Sequence, residues 1–156
     1  DGDILVYMDV DLSTDLDAFV PLVNAIERGA DIAIGTRLAG GSYTKRSFKR
    51  EFISRSYNAL IKSMFFTGFS DAQCGFKAIR RSAARALLPH VVDTQWFFDT
   101  ELLIIAEKRN FCVTEVNVHW IEDPDTRVKV LRTAIQDIKG LLRLRFKGIP
   151  KVASSG

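Results

Sequence analysis

Histidine is nearly absent from this 156-residue chain: His90 and His119 are the only two, so a histidine-rich metal site is excluded. Cysteine is equally scarce. Cys74 and Cys112 stand alone without C-x-x-C spacing, which points to a reducing, cytoplasmic environment. No apolar run reaches the roughly 18 residues that suggest a membrane span. No internal repeat is visible. The net charge of +3 is too small to imply nucleic acid by itself. An initiator methionine is also lacking. Asp1-Gly2-Asp3 leads directly into a strand of the buried type, apolar on both faces, which wants neighbours on both sides. This predicts a further segment ahead of Asp1.

What is present is ordinary in bulk and uneven in detail. Hydrophobic residues make up 47% and charged residues 26%, enough for one domain with a real core. Positive charge gathers in Lys45-Arg46-Ser47-Phe48-Lys49-Arg50 and in the region from Arg127 to Lys147. Apolar periodicity alternates between strand and helix. Strands are predicted at Ile4–Met8, Asp31–Gly35, Gly75–Ile79 and Phe111–Trp120. Helices are predicted at Leu16–Arg28, Phe48–Phe66, Ser82–Leu88, Asp99–Arg109 and Val128–Phe146. Loops are expected at 36–44, 67–74 and 122–126. The alternation indicates a layered α/β fold with a mainly parallel sheet over residues 1–146, and a frayed tail over 147–156.

The segment Ile4-Leu5-Val6-Tyr7-Met8-Asp9-Val10-Asp11 carries the strongest chemical signal. Strand alternation puts Asp9 and Asp11 on one side, at the carboxyl end where open α/β sheets bind ligands. Two carboxylates there repel each other unless a hard divalent cation sits between them, and such a cation can hold a diphosphate. The structural alternative is that they cap the following helix. Ser13, Thr14 and Asp15 can fill that role themselves.

Further polar clusters follow in order. Arg37 in Gly35-Thr36-Arg37 can reach a phosphate as a planar charged fork or form a surface salt bridge. Gly40-Gly41 allows a close backbone approach. Lys49, Arg50 and Arg55 put cations on the first turns of a long helix, suited to an anion or to a solvated face. Ser70-Asp71-Ala72-Gln73-Cys74-Gly75-Phe76-Lys77, a polar cluster running into a strand, brings Asp71 and Gln73 toward one site or forms a plain turn. In Trp96-Phe97-Phe98-Asp99-Thr100-Glu101 the aromatics read as core. Asp99 caps the helix, or Asp99 and Glu101 face a ligand. The last helix carries the stripe Leu131, Ala134, Ile135, Ile138, Leu141 and Leu142 beside Arg132, Lys139, Arg143, Arg145 and Lys147. A basic amphipathic helix suits an anionic membrane surface, or packs on the sheet.

The ordered set of Asp9-Val-Asp11, Gly35-Thr-Arg37, Lys49-Arg50, Asp71-Ala-Gln-Cys-Gly75-Phe76, Phe98-Asp99-Thr-Glu101 and Arg127 resembles the family-2 glycosyltransferases that act on polyprenyl phosphates. These include the dolichyl-phosphate mannose synthase and dolichyl-phosphate glucosyltransferase types. The resemblance runs from Asp3 to about Leu144. It implies a GT-A, Rossmann-like fold, here incomplete at the N-terminus. It implies a UDP- or GDP-sugar donor, Mg²⁺ or Mn²⁺, and inverting transfer to a lipid phosphate at the cytoplasmic face of a membrane, with no nucleic-acid partner. Carried over by position, Asp9 and Asp11 would hold metal and diphosphate. Arg37, Arg50, Arg127 and Lys129 would contact phosphates. Asp71, Gln73, Asp99 and Glu101 would shape the sugar or acceptor site. The chain departs from the pattern at Ser13, where some relatives carry a metal-contacting Gln, and in having no nucleotide-gripping half before Asp1.

Two other readings compete. Haloacid-dehalogenase-type phosphatases also open on a strand and D-x-D, with the first Asp as nucleophile. They need a later strand-end acidic pair, which Gly68-Phe69-Ser70-Asp71 imitates poorly. The other is a non-catalytic membrane-peripheral module built on the basic helix.

Overall fold

The apolar run that opens the chain forms strand β1 (Ile4–Tyr7). A 3-10 turn over Leu16–Ala18 then leads into helix α1 (Phe19–Glu27). The Asp17 amide donates to Asp15 Oδ1 (3.1 Å), so Asp15 fills the capping role. Pro21 falls in the first helical turn, where no intrahelical N–H is needed. The next elements are β2 (Ile32–Thr36), β3 (Tyr43–Lys45) and α2 (Phe48–Phe65). After them come β4 (Lys77–Arg80), α3 (Arg81–Leu87) and α4 (Phe98–Lys108). β5 (Val113–Asn117), β6 (His119–Ile121) and α5 (Val130–Lys147) complete the order. This computed structural model describes residues 2–9, 13–38, 43–45, 48–121 and 130–152. The expected loops at Gly40-Gly41 and Glu122–Thr126 fall outside them.

The main sheet has the order β1-β4-β2-β5. Strands β1, β2 and β5 run the same way, as strand–helix alternation requires. Strand β4 runs against β1 and β2, so only the β2–β5 pairing is parallel and the sheet is mixed rather than mainly parallel. The loop over 66–76 explains the reversal. Helix α2 carries the chain away, and the loop returns it to the carboxyl end of β2, where Ser70 Oγ lies 2.9 Å from Thr36 Oγ1. Strand β4 starts from there and runs back. This return brings Asp71, Gln73 and Gly75 to the same end of the sheet as Asp9.

The single strand expected over Phe111–Trp120 is two, divided at the buried Val118. Its second part, β6, pairs in parallel with β3, which begins at the end of the loop expected at 36–44. Thr14 bridges to Trp120 beside them.

Helices cover both faces of the sheet. Ile32, Ile34 and Ile79 pack with Ile61, Leu87, Leu102 to Ala106, Leu141 and Leu144 of α2 to α5. Ala33 and Ala78, on the opposite face, pack with Leu22 and Ile26 of α1. Alternation along β2 thus buries every residue it has, the pattern of a central strand.

Three amphipathic expectations change in detail. Of the aromatic triplet, Phe97 is fully buried, Phe98 half-buried, and Trp96 exposed. In α2, where the spacing predicts Phe52, Ile53, Tyr57, Leu60, Ile61 and Met64 on the apolar side, Ile61 is buried, whereas Phe52 and Leu60 face solvent. In α5 the core receives Asp137, Gly140, Leu141 and Leu144, whereas Ile135, Ile138 and Leu142 point outward. The tail expected to fray from Lys147 is held as far as Val152. Ile149 and Val152 pack on the core, and Arg109 Nε donates to the Pro150 carbonyl (2.6 Å).

Gly140 explains how α5 sits so close. A Cβ there would overlap the Phe97 ring. Replacing a mid-helix glycine by alanine ordinarily stabilises by up to about 1 kcal/mol. Here Gly140→Ala is expected to do the opposite, lowering stability by about 1–3 kcal/mol through overpacking. Chemical denaturation of the two proteins measures it.

Candidate active site

The site is built where β1 and β2 end and β4 begins. Asp9 lies two residues beyond β1 with its side chain exposed. Its carboxylate rests directly on the Cα of Gly75, since any Cβ at position 75 would overlap both carboxylate oxygens. A glycine is therefore required for Asp9 to stand where it does. Asp11, Arg127 and Lys129 lie outside the described residues, as does the Arg50 side chain in α2.

Beneath Asp9 lies a network that joins Asp99 to Tyr7 and Lys77, neither of which was a site candidate. Tyr7 of β1 and Lys77 of β4 are paired in register. Both reach Asp99 on the first turn of α4. The Tyr7 hydroxyl donates to Asp99 Oδ1 at 2.8 Å, and Lys77 Nζ lies 2.9 Å from the same oxygen. Lys77 is fully buried and also donates to the Cys74 carbonyl. Burial and then Asp99 push the Tyr7 hydroxyl well above its usual range, so it remains a donor. The cap expected of Asp99 is not made, because α4 starts without a side-chain cap. Asp99 instead keeps a quarter of its side chain exposed, with both bonds on Oδ1.

Asp71 is wholly buried beside Arg37. Arg37 donates three times to it: Nε to Oδ2 (2.7 Å), Nη2 to Oδ1 (2.9 Å) and its backbone amide to Oδ2 (3.0 Å). Burial alone would raise the Asp71 carboxyl, but the guanidinium outweighs it and holds it below the usual carboxylate range. Burial likewise opposes the Arg37 charge, and Asp71 more than compensates. The guanidinium carbon also stands 5.4 Å from the centre of the Trp120 ring. The expected phosphate fork and acidic site residue thus form one buried pair that braces the loop. Ser70 is fixed alongside, its amide and hydroxyl donating to Glu115 Oε1 at 2.5 and 2.8 Å. The Ala72 amide donates to Asn58 Oδ1 (3.0 Å).

Gln73 Nε2 donates to Asp137 Oδ2 of α5 (3.0 Å). Glu101 is fully buried and accepts from the Asp93 amide (2.8 Å) and from Arg143 Nη2 (2.7 Å), so it ties α4 to α5 rather than facing a ligand cleft. Burial pushes the Cys74 thiol up, which leaves it unreactive.

Of the residues named from the sequence, the structure brings Asp9, Asp71, Gln73 and Asp99 around one end of the sheet. Asn58 and Asp137 were missed, and Tyr7 and Lys77 stood inside the quoted stretches without a role. Asp137 did leave a signal, an acid inside the α5 apolar face between Ala134 and Leu141. Lys77 left one too, a charge inside a buried strand.

A divalent cation fits what is described. Asp9 offers an exposed hard oxygen donor at the strand end, and Mg²⁺ is commonly held by one or two carboxylates together with substrate phosphates. Among the described residues no group of three or more His, Cys, Asp or Glu forms a dedicated cage.

Residues 1–88 match the family described as Glycosyl transferase family 2. The chain belongs to that family. It is 40% identical over 141 residues to the glycosyltransferase AglD of Haloferax volcanii, covering 90% of this chain and 22% of AglD. It is 34% identical over 113 residues to the dolichyl-phosphate beta-glucosyltransferase of Dictyostelium discoideum, covering 70% of this chain and 35% of that protein. The chain thus spans less than half the length of either relative. Its fold is that of the GT-A glycosyltransferases. The UDP complex of glucosyl-3-phosphoglycerate synthase from Mycobacterium tuberculosis superposes with a TM-score of 0.67 at 23% identity, over 97% of this chain and 52% of the synthase. Membership of family 2 removes the phosphatase reading. So does Asp71, the candidate for its second acidic pair, which is consumed by Arg37.

Proposed function

We propose that the chain forms the metal- and acceptor-binding part of an enzyme that moves a hexose from a UDP- or GDP-sugar to a polyprenyl phosphate. The reaction takes place at the cytoplasmic face of a membrane and inverts the sugar. The observation that carries this reading is the Asp9 carboxylate seated on Gly75 at the carboxyl end of β1, with the 70–76 loop folded beside it. Sequence similarity to dolichyl-phosphate beta-glucosyltransferases supports the acceptor class.

The residues divide the work simply. A lipid phosphate is already anionic near neutral pH, so the attacking oxygen needs positioning more than deprotonation. Asp9 and Asp11 would hold Mg²⁺ or Mn²⁺ together with the donor diphosphate, and the bound ion would supply charge stabilisation for the departing nucleoside diphosphate. Asp99, fixed at Oδ1 by Tyr7 and Lys77, presents its remaining oxygen to the sugar or acceptor. Arg127, Arg50 and Lys129 meet the phosphates. Arg37 acts through Asp71 by holding the loop still.

Helix α5 suits the membrane side of the reaction. Ile135, Ile138, Leu142 and Phe146 are exposed, and so are Lys139, Arg145 and Lys147 beside them. Such a surface fits the boundary of an anionic bilayer. No helix among the described residues is long and apolar enough to cross a membrane.

Manganese binding tests the metal half of the proposal. The free Mn²⁺ electron paramagnetic resonance signal is expected to fall when protein and UDP are both present. Asp9→Asn should restore it. Equal Mn²⁺ uptake by Asp9→Asn and the parent chain would overturn the assignment.

A further inference from the structure

Asp137 is an expensive residue to bury. It is 3% exposed on the core side of α5. Its Oδ2 accepts from Gln73 Nε2 at 3.0 Å, and its Oδ1 has no hydrogen-bond partner. Among the described residues no cation pairs with it. Arg143, six residues further along, is taken by Glu101. The ionisable groups that act on it from neighbouring elements are Asp93, ahead of α4, and Tyr57 of α2. Asp93 is a like charge. Burial first, and then Asp93, push the Asp137 carboxyl up to about 6. A leucine or asparagine would cost the fold less here, because a buried, half-satisfied carboxylate is destabilising.

The same contact has one clear consequence for Gln73. A carboxylate only accepts hydrogen bonds, so it selects the amide orientation with Nε2 toward α5. The other end of the amide, Oε1, takes no hydrogen bond from any described residue. Gln73 sits between Asp71, locked by Arg37, and Gly75, which carries Asp9. Its orientation is therefore set inside the candidate site by a residue outside it.

We propose that Asp137 is a positioning residue that fixes the polarity of Gln73, so that the Gln73 carbonyl accepts a hydrogen bond from a hydroxyl of the hexose being transferred. The proposal deepens the sugar-transfer reading and rests on it. It assigns Gln73 to recognition of a sugar hydroxyl rather than a phosphate, since a carbonyl oxygen cannot donate to an anion. A proton on Asp137 would let the carboxyl donate to Gln73 Oε1 and turn the amide round. The amide polarity is therefore enforced above the Asp137 pKa and no longer enforced below it, where the neutral carboxyl can donate as well as accept.

The test compares the parent chain with Asp137→Asn and Asp137→Leu. The first readout is the Gln73 side-chain amide in ¹⁵N nuclear magnetic resonance. It is expected to titrate with a midpoint near 6 in the parent and to show no such titration in either variant. The second readout is transfer from glucose donors lacking one hydroxyl at a time, alongside the intact donor. In the parent, one deoxy donor is expected to lose about tenfold in kcat/KM, the size of one hydrogen bond. That penalty should vanish in Asp137→Leu, with the thermal midpoint at pH 7 unchanged or raised. A deoxy penalty that persists in Asp137→Leu would overturn the proposal, and so would a Gln73 amide that ignores pH. If the parent transfers no sugar at all, the transfer reading fails. The amide titration then still decides whether Asp137 sets the orientation.

Discussion

Gly75→Ala is expected to lower kcat/KM for sugar transfer by about 100-fold or more while leaving stability within about 1 kcal/mol of the parent chain. The reason is local. A Cβ at position 75 would occupy the space of the Asp9 carboxylate, and that carboxylate must move. Asp9 is exposed, so it moves into solvent at little structural cost. Function does not share this tolerance. On the proposed reading Asp9 holds the metal, and its oxygen displaced by about an ångström would no longer meet the diphosphate in the geometry that transfer needs. Steady-state kinetics over a Mn²⁺ series check the prediction, with thermal unfolding as the control. An unchanged Mn²⁺ requirement and rate would show that the position of Asp9 is irrelevant to turnover.

Arg37→Leu is expected to destabilise the chain by about 3–5 kcal/mol, the cost of leaving a buried carboxylate without its partner. Asp71 is fully buried and takes all three of its hydrogen bonds from Arg37. The pH dependence has a definite sign. Asp71 is held below its ordinary carboxyl pKa of about 4, so its contribution is complete above that value and is lost as pH falls through the lower, folded one. The gap between Arg37→Leu and the parent should thus be widest near pH 7 and narrow in acid. The exposed Arg55–Glu51 pair on α2 offers a contrast. Removing it should cost about 0.5 kcal/mol or less. Urea unfolding of both variants at pH 7 and pH 3 separates the two cases.

The sequence made some parts of the molecule legible for physical reasons and hid others. The apolar run Ile4 to Tyr7 was legible as a strand that ends just before the solvated Asp9, although β1 lies at the sheet edge with Leu5 exposed rather than buried on both faces. The order of strands and helices likewise follows from periodicity. The direction of β4 does not. It depends on the loop over 66–76 returning to the carboxyl end of β2, and that return is held by long-range contacts from Ser70 and Asp71 to Thr36 and Arg37. No local pattern encodes such contacts. Residue types pointed to Asp71, Arg37 and Glu101 as site candidates, but their partners lay far along the chain. Arg37 and Asp71 satisfy each other, and Glu101 is taken by Arg143. The amphipathic stripe of α5 was visible, but which of its apolar residues turned inward depended on Gly140 fitting the Phe97 ring. The two least conspicuous residues, Lys77 and Asp137, are charged side chains in otherwise buried positions. Both touch residues that the motifs had marked: Lys77 meets Asp99, and Asp137 meets Gln73.

Sugar transfer with a carboxylate control tests the central claim most directly. Labelled UDP-glucose and GDP-mannose would each be offered with Mn²⁺ and a polyprenyl phosphate, in parallel for the parent protein and Asp11→Asn. The account predicts that label reaches the lipid from one donor, only with the metal, and not in Asp11→Asn. Transfer that survives in Asp11→Asn would contradict it, as would release of phosphate from a simple phosphomonoester with no sugar transferred.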